Sequence, residues 1–195
     1  MRLFVAVEIF PQVQEGLASV RRSSRDDAWR WVAAGNVHLT LKFLGETDEG
    51  LVPRIKVALG EVCRPLAPFE LGLAGLGTLP PFRPPTERDR RPPRPPRVLF
   101  AGLDRGAVEL RGLALVVEEA MAGLGFPKER RLFTPHATLA RVRKDRRPRD
   151  VAELLGRFEG KSFGAWRCDG VVLFSSELGP GGARYTALGE FPFGE

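Results

Sequence analysis

Only two histidines occur in the chain, and each opens the same four-residue pattern: His38-Leu39-Thr40-Leu41 and His136-Ala137-Thr138-Leu139. Imidazole is the side chain best suited to exchanging protons near neutral pH, and two of them can divide acid and base work. In a chain so poor in threonine, a chance match at both following positions is on the order of one in tens of thousands. On a β-strand successive side chains alternate between faces, so His38 and Thr40 project together while Leu39 and Leu41 enter the core. The second motif has the same parity, and each therefore offers an imidazole beside a hydroxyl.

That set meets the needs of phosphodiester chemistry without a metal. A neutral histidine takes the proton from an attacking oxygen, and a protonated one gives a proton to the departing oxygen. The threonine hydroxyls donate to non-bridging phosphate oxygens, where charge builds in the transition state. A strained cyclic phosphate is an ester suited to such a site. No third ligand of suitable kind stands beside either motif, and Cys63 and Cys168 are isolated in sequence, so neither a metal site nor a disulfide framework is expected. The cysteines read as two reduced thiols.

The elements that must position the motifs occur twice in the same order. Residues 2–9 form an apolar strand, followed by a helix from Pro11 to about Arg22 with Val13, Leu17 and Val20 on one face. Residues 37–44 are the first motif strand; 48–62 are a helix with Asp48 as N-cap and Leu51, Ile55 and Val62 on one face; 69–78 are a strand. In the second half residues 98–103 are a strand, and a long helix starting at Asp104 or Arg105 buries Val108, Leu110, Leu113, Val117 and Met121. Residues 135–142 carry the second motif, 149–157 form a short helix, and strands follow near 163–176 and 184–191. The expected fold is α/β of the α+β kind: one bilobal domain over 1–195, a duplicated unit with two mainly antiparallel sheets facing a central cleft and helices outside.

Between the halves, residues 80–97 read PPFRPPTERDRRPPRPPR, which builds no core and predicts an extended, solvated connection of polyproline II character. The run RVRKDRRPR at 141–149 leaves the second motif strand as a mostly solvated loop. The net charge is +6 and the basic side is almost all arginine, which favours phosphate-bearing polyanions. No apolar run approaches the roughly 20 residues needed to span a bilayer. MRLFVAVEIF reads as a first strand and not a leader, because Glu8 interrupts it and no small-residue cleavage site follows. A soluble, cytoplasmic protein is expected.

The paired motifs resemble the signature of the 2H phosphoesterase superfamily. The segments MRLFVAVEI, VHLTLKFLGET, PRVLFAGL, ERRLFTPHATLARV and LFSSELGPGGARYTALGEFPF resemble, in order and spacing, the RNA 2′,3′-cyclic phosphodiesterases also called 2′-5′ RNA ligases. The resemblance covers nearly the whole chain. It implies hydrolysis of an RNA terminal 2′,3′-cyclic phosphate to a 2′-phosphate, with no metal and no nucleotide cofactor. It further implies His136 as the general base that activates water, His38 as the general acid for the O3′ leaving group, and Thr40 and Thr138 as binders of phosphate oxygens. RNA ends, including tRNA fragments or oligonucleotides, are the implied partners of a monomer with no membrane attachment. Ligation of tRNA halves at the same site, a small-nucleotide phosphodiesterase and a non-catalytic RNA-binding module are the alternatives.

Phe43 and Arg141 each follow a motif histidine by five residues, and the resemblance assigns them base stacking and phosphate binding. Strict alternation places both on the face opposite the histidines, so either each strand bulges or the assignment fails. Lys42 has the histidine's parity and is the alternative cation, while Arg130 and Arg131 would widen a basic rim.

Overall fold

The computed structural model describes residues 1–84, 86, 94–179 and 182–194. Among them, nine strands and four α-helices follow one another as β1 (Arg2–Glu8), α1 (Pro11–Ser23), β2 (Trp29–Trp31), β3 (His38–Glu46), α2 (Val52–Cys63), β4 (Phe69–Leu79), β5 (Val98–Arg105), α3 (Ala107–Gly123), β6 (Ala137–Val142), α4 (Val151–Arg157), β7 (Ser162–Cys168), β8 (Gly170–Gly179) and β9 (Gly182–Pro192). The strands pair antiparallel in the order β7-β4-β5-β6-β3-β1-β8-β9, with β2 added on β6. Two four-stranded halves thus meet at the two motif strands, joined by one residue pair, Leu39 with Ala137. The outcome is an α+β fold with outer helices, as the duplicated unit predicts, but the two expected sheets are joined through Leu39 and Ala137 into one curved antiparallel sheet.

The halves exchange elements. β4 follows the first motif half yet pairs with β5, and β8 follows the second yet pairs with β1. α1 packs on β7 and α4 on β4, whereas α2 and α3 pack on each other and against β9 and β3. One face of the sheet is covered in this way, by Val13, Leu17 and Val20 of α1 and by Ile55, Leu59 and Cys63 of α2. From the strands, Leu3, Val5, Leu39, Leu73, Leu99 and Leu139 enter the same core. Each such aliphatic side chain, taken fully out of water, contributes roughly 1.5–3 kcal/mol. The opposite face is left for other work.

Several boundaries depart from the periodicity. α3 begins at Ala107, because β5 runs on to Arg105 and Gly106 turns the chain at φ +71; a Cβ there would lie 2.3 Å from the carbonyl oxygen of Glu70, so only glycine fits. Val108, expected in the core, is 74% exposed at the first turn of α3. β2 has no counterpart among the expected strands. Asp48 does cap, accepting from the Gly50 N–H at 2.7 Å, but it caps a short 3-10 turn that leads into α2. Of the proline-arginine connection, residues 80–84, 86 and 94–97 carry no helix or strand; residues 85 and 87–93 lie outside the described residues. β4 and β5 pair up to Leu79 and Val98 as the two arms of a hairpin. Among the described residues no helix is long and apolar enough to cross a membrane.

Two bulges decide what faces outward from the motif strands. Against β1, Ala6 is opposite Thr40 but Val5 is opposite Lys42, so Leu41 is an extra residue. Against β5, Phe100 is opposite Thr138 but Leu99 is opposite Ala140, so Leu139 is extra at the equivalent place. Beyond each bulge the parity inverts. Lys42 therefore turns away from the histidine face: it is 2% exposed, and its Nζ donates to Glu118 Oε1 at 2.9 Å and to the Pro127 carbonyl at 3.0 Å. The alternative role for Lys42 is thereby corrected; it ties β3 to α3.

Removing one partner of a buried ion pair costs far more than the pair's net contribution. We expect Lys42→Ala to lower stability by about 3 kcal/mol in denaturant unfolding, and Lys42→Met with Glu118→Leu to recover much of that loss. Turnover per folded molecule should be unchanged; a specific loss of turnover in the folded variant would return Lys42 to the site.

Candidate active site

The uncovered face of the sheet carries the motif side chains. His38, Thr40, His136 and Thr138 are all half-buried, alternating with the buried Leu39, Leu41, Ala137 and Leu139. Extending the antiparallel Leu39–Ala137 register by one residue each way sets His38 across from Thr138 and Thr40 across from His136. Each imidazole is thus matched with the hydroxyl of the other half, at the seam of the sheet.

The bulges bring Phe43 and Arg141 to this same face. Phe43 is 59% exposed, between buried Lys42 and Leu44, and its ring centroid lies 6.0 Å from that of Phe4. Arg141 is exposed beyond buried Leu139 and Ala140. The two occupy equivalent positions of the duplicated strand, so one end of the face offers a ring and the other a guanidinium. Arg130 and Arg131 are exposed on the segment that leads into β6. The basic run after β6 is a loop, held down where Arg143 Nε donates to the Asp27 carbonyl at 3.0 Å and the Arg149 N–H to Asp26 Oδ2 at 2.6 Å.

The two histidines differ in surroundings. His136 Nδ1 lies 2.7 Å from the Thr134 carbonyl; a carbonyl only accepts, so Nδ1 carries the hydrogen and Nε2 is left with its lone pair in the neutral ring. Phe100 is its aromatic neighbour, with centroids 5.2 Å apart. His38 is packed by three rings: Phe4 stacked at 4.8 Å, Tyr185 edge-on at 5.3 Å and Phe174 at 6.2 Å. This burial pushes His38 down to about 4, against the opposing effect of a hydrogen bond to the Asn36 backbone. The Asn36 side chain in turn donates to the Ala183 carbonyl at 2.7 Å, tying the β8–β9 hairpin to the approach of β3.

Phe4, Phe100, Phe174 and Tyr185 are aromatic neighbours of the two histidines that motif reasoning misses. Two signals point to three of them: the Leu-Phe dipeptide opening both halves at Leu3-Phe4 and Leu99-Phe100, and the single tyrosine of the chain. Among the described residues no group of three or more His, Cys, Asp or Glu side chains could hold a metal ion. Cys63 and Cys168 are free and buried, and burial pushes their thiols up to about 11 and about 12. They are core residues.

A duplicated sheet with one His–Thr pair from each half is the arrangement of phosphoesterases of the two-histidine type. The family described as LigT like phosphoesterase matches over residues 5–86 and 103–185, and the chain belongs to it. It is 33% identical over 166 residues to an RNA 2′,3′-cyclic phosphodiesterase of Aquifex aeolicus, covering 85% of this chain and 82% of that protein. Over 193 residues it is 30% identical to one of Methanothermobacter thermautotrophicus, covering 98% of each. The crystal structure of a Thermus thermophilus protein superposes with a TM-score of 0.80 at 32% identity, over the full length of both chains. LigT of E. coli complexed with 3′-AMP superposes with a TM-score of 0.75 at 26% identity, covering 100% of this chain and 98% of that one.

The burial of His38 has a stability signature. The folded ring resists protonation, so as pH falls below about 6.5 the unfolded chain takes up the proton first. Stability present above that pH is then lost until the folded ring titrates at about 4. The full loss is about 3 kcal/mol. Comparing denaturant unfolding of the native chain and His38→Asn from pH 7 to pH 4 isolates this contribution from the carboxylates. Parallel profiles would show that His38 is not buried as a neutral ring.

Proposed function

We propose that the protein hydrolyses RNA terminal 2′,3′-cyclic phosphates to 2′-phosphates through His38 and His136. The observation that carries this is the placement of both His–Thr pairs on one exposed face at the sheet seam, with Nε2 of His136 free to accept a proton. In this mechanism a water oxygen attacks phosphorus and its proton passes to His136. The P–O3′ bond breaks and His38 delivers a proton to O3′. Thr40 and Thr138 donate to the non-bridging oxygens as negative charge grows on them. Phe43 stacks on the terminal base and Arg141 holds phosphate, assignments that the bulges make geometrically available. The relatives that carry the RNA 2′,3′-cyclic phosphodiesterase name support the choice of substrate.

The acid role sets a condition on His38. Burial holds its ring neutral at pH 7, so in this mechanism it gains its proton as the phosphate binds. An anion beside an imidazole favours the charged form and opposes the desolvation that disfavours it. Substrate binding thereby arms the acid.

Two measurements test the scheme. Removing a positioned proton-transfer group lowers turnover by typically 10²–10⁴-fold, so His38→Ala and His136→Ala should each lose about that much on an oligonucleotide 2′,3′-cyclic phosphate in EDTA. Undiminished activity in either variant, or a 3′-phosphate product, would sink the mechanism. Separately, calorimetric titration with a 2′-phosphate nucleotide at pH 7, in buffers of different ionisation enthalpy, should record net proton uptake that disappears in His38→Asn. No uptake would exchange the roles, with His38 the base and His136 the acid.

A further inference from the structure

Tyr185 touches His38 although the strand ladder by itself would keep them apart. Among the described residues β8 pairs with β1 only from Val172 to Ser175. Beyond Ser175 its partner is β9, with Ser176 opposite Tyr185 and Leu178 opposite Ala183. Ser175 is level with Leu3, and Leu3 with Gly45 at the far end of β3 from His38. In a flat sheet Tyr185 would therefore stand near that far end and three strands over, about 14 Å away at the usual spacing. Its ring instead lies 5.3 Å from the His38 ring and 4.9 Å from that of Phe4. The tip of the β8–β9 hairpin is curled back over the site face.

A two-stranded ribbon is marginal by itself, so whatever holds the tip decides whether His38 keeps this wall. Asn36, the single asparagine of the chain, supplies a bond from outside the ladder. It is half-buried and closes the 3-10 turn Ala34–Asn36 just before β3. Its side-chain amide donates to the Ala183 carbonyl at 2.7 Å, two residues from Tyr185. Its own carbonyl accepts the hydrogen bond of the His38 ring. One residue thus holds the imidazole and also the strand that packs on it. The second motif repeats only the carbonyl: Thr134, likewise two residues before its histidine, accepts from His136. There the aromatic neighbour, Phe100, is already held by the ladder, opposite Thr138 on the adjoining strand.

We propose that Asn36 is a positioning residue for His38, orienting the imidazole with its carbonyl and, with its side-chain amide, holding the hairpin tip so that Tyr185 closes on that ring. This rests on His38 being the acid of the cleft. The tip keeps water from one side of the ring, and the exclusion of water is what disfavours the charged imidazole. Without the amide bond the ribbon swings away, solvent reaches the ring, and the ring takes up a proton more readily in the free protein. Its aim at the leaving oxygen loosens at the same time. The ionisable groups that face His38 are Glu8, directly opposite on β1, the Tyr185 phenol and His136 across the seam, with Arg184 next to Tyr185. Replacing the Asn36 side chain changes the charge of none of them.

The test is a histidine titration by NMR, with turnover read in parallel. The two imidazoles give separate ring signals, each assigned by its loss in His38→Asn or His136→Asn. In Asn36→Leu, which keeps the shape of the side chain without the donor, the His38 midpoint should rise from about 4 toward that of a free imidazole, while the His136 midpoint stays in place. Asn36→Ala should do the same, and Asn36→Gln, which keeps the amide, should move it less. On an oligonucleotide 2′,3′-cyclic phosphate, kcat of Asn36→Leu and Asn36→Ala should fall about 10-fold or more through misplacement of the acid. KM should change little, because the groups that hold the substrate are untouched. An unmoved His38 midpoint, equal movement of both histidines, or a moved midpoint with unchanged kcat would overturn the positioning role. Failure of the native chain to open a cyclic phosphate would instead overturn the function proposed for the cleft, and the titration would still decide whether Asn36 holds the ring.

Discussion

The row Val7–Leu39–Ala137–Ala101 runs across β1, β3, β6 and β5, and everything at the site depends on its central pair. All four side chains are buried in the core, at 2% exposure or less. Alanine at two of the four positions keeps the layer under the seam thin. Because side chains alternate, sinking Leu39 and Ala137 forces His38, Thr40, His136 and Thr138 out on the other face. The hydrophobic effect acting on the intervening residues thus places the polar ones. A one-residue slip of either strand would bury an imidazole and expose a leucine, which is why the register is well specified.

The bulges extend this logic to residues that simple alternation misplaces. Inserting Leu41 and Leu139 lets two consecutive side chains enter the core and returns Phe43 and Arg141 to the site face. In β3 the second inward position is Lys42, whose charge is matched by Glu118; in β6 it is Ala140, which needs no partner. The two halves therefore share a backbone device while differing in what it buries. A β-bulge is set by pairing with the neighbouring strand, here β1 and β5, and not by local composition.

This explains which parts of the molecule are legible in the sequence. The motif histidines and threonines, the order of the major elements and the buried face of α1 follow from spacing alone, because each is a local periodic signal. Phe43, Arg141 and Lys42 are ambiguous or misplaced by alternation because their parity depends on residues distant in sequence. Val108 precedes Leu110 by two residues, roughly 200° around the helix, so it faces away from the buried Leu110, Leu113 and Val117 wherever α3 starts, and Gly106, in a left-handed conformation, shifts only that start. β2 is too short to show a period. Likewise the aromatic box around His38 draws on β1, β8 and β9 and has no local signature.

That box makes the surroundings of the two motif histidines unequal. Two identical imidazoles in identical surroundings would titrate together, and a symmetric pair gives no basis for dividing acid from base. Here His136 meets one ring and a carbonyl, whereas His38 is enclosed by Phe4, Phe174 and Tyr185 and is driven toward its neutral form. An imidazole whose charge is disfavoured until an anion arrives is sensitive to occupancy. With a phosphate bound, the same low-polarity walls that penalise an isolated charge strengthen the attraction between imidazolium and anion. In the proposed mechanism the aromatic enclosure would couple proton uptake to substrate binding, a division of labour that duplication of the unit alone would not produce and that rests on the β8–β9 hairpin, which carries Phe174 and Tyr185.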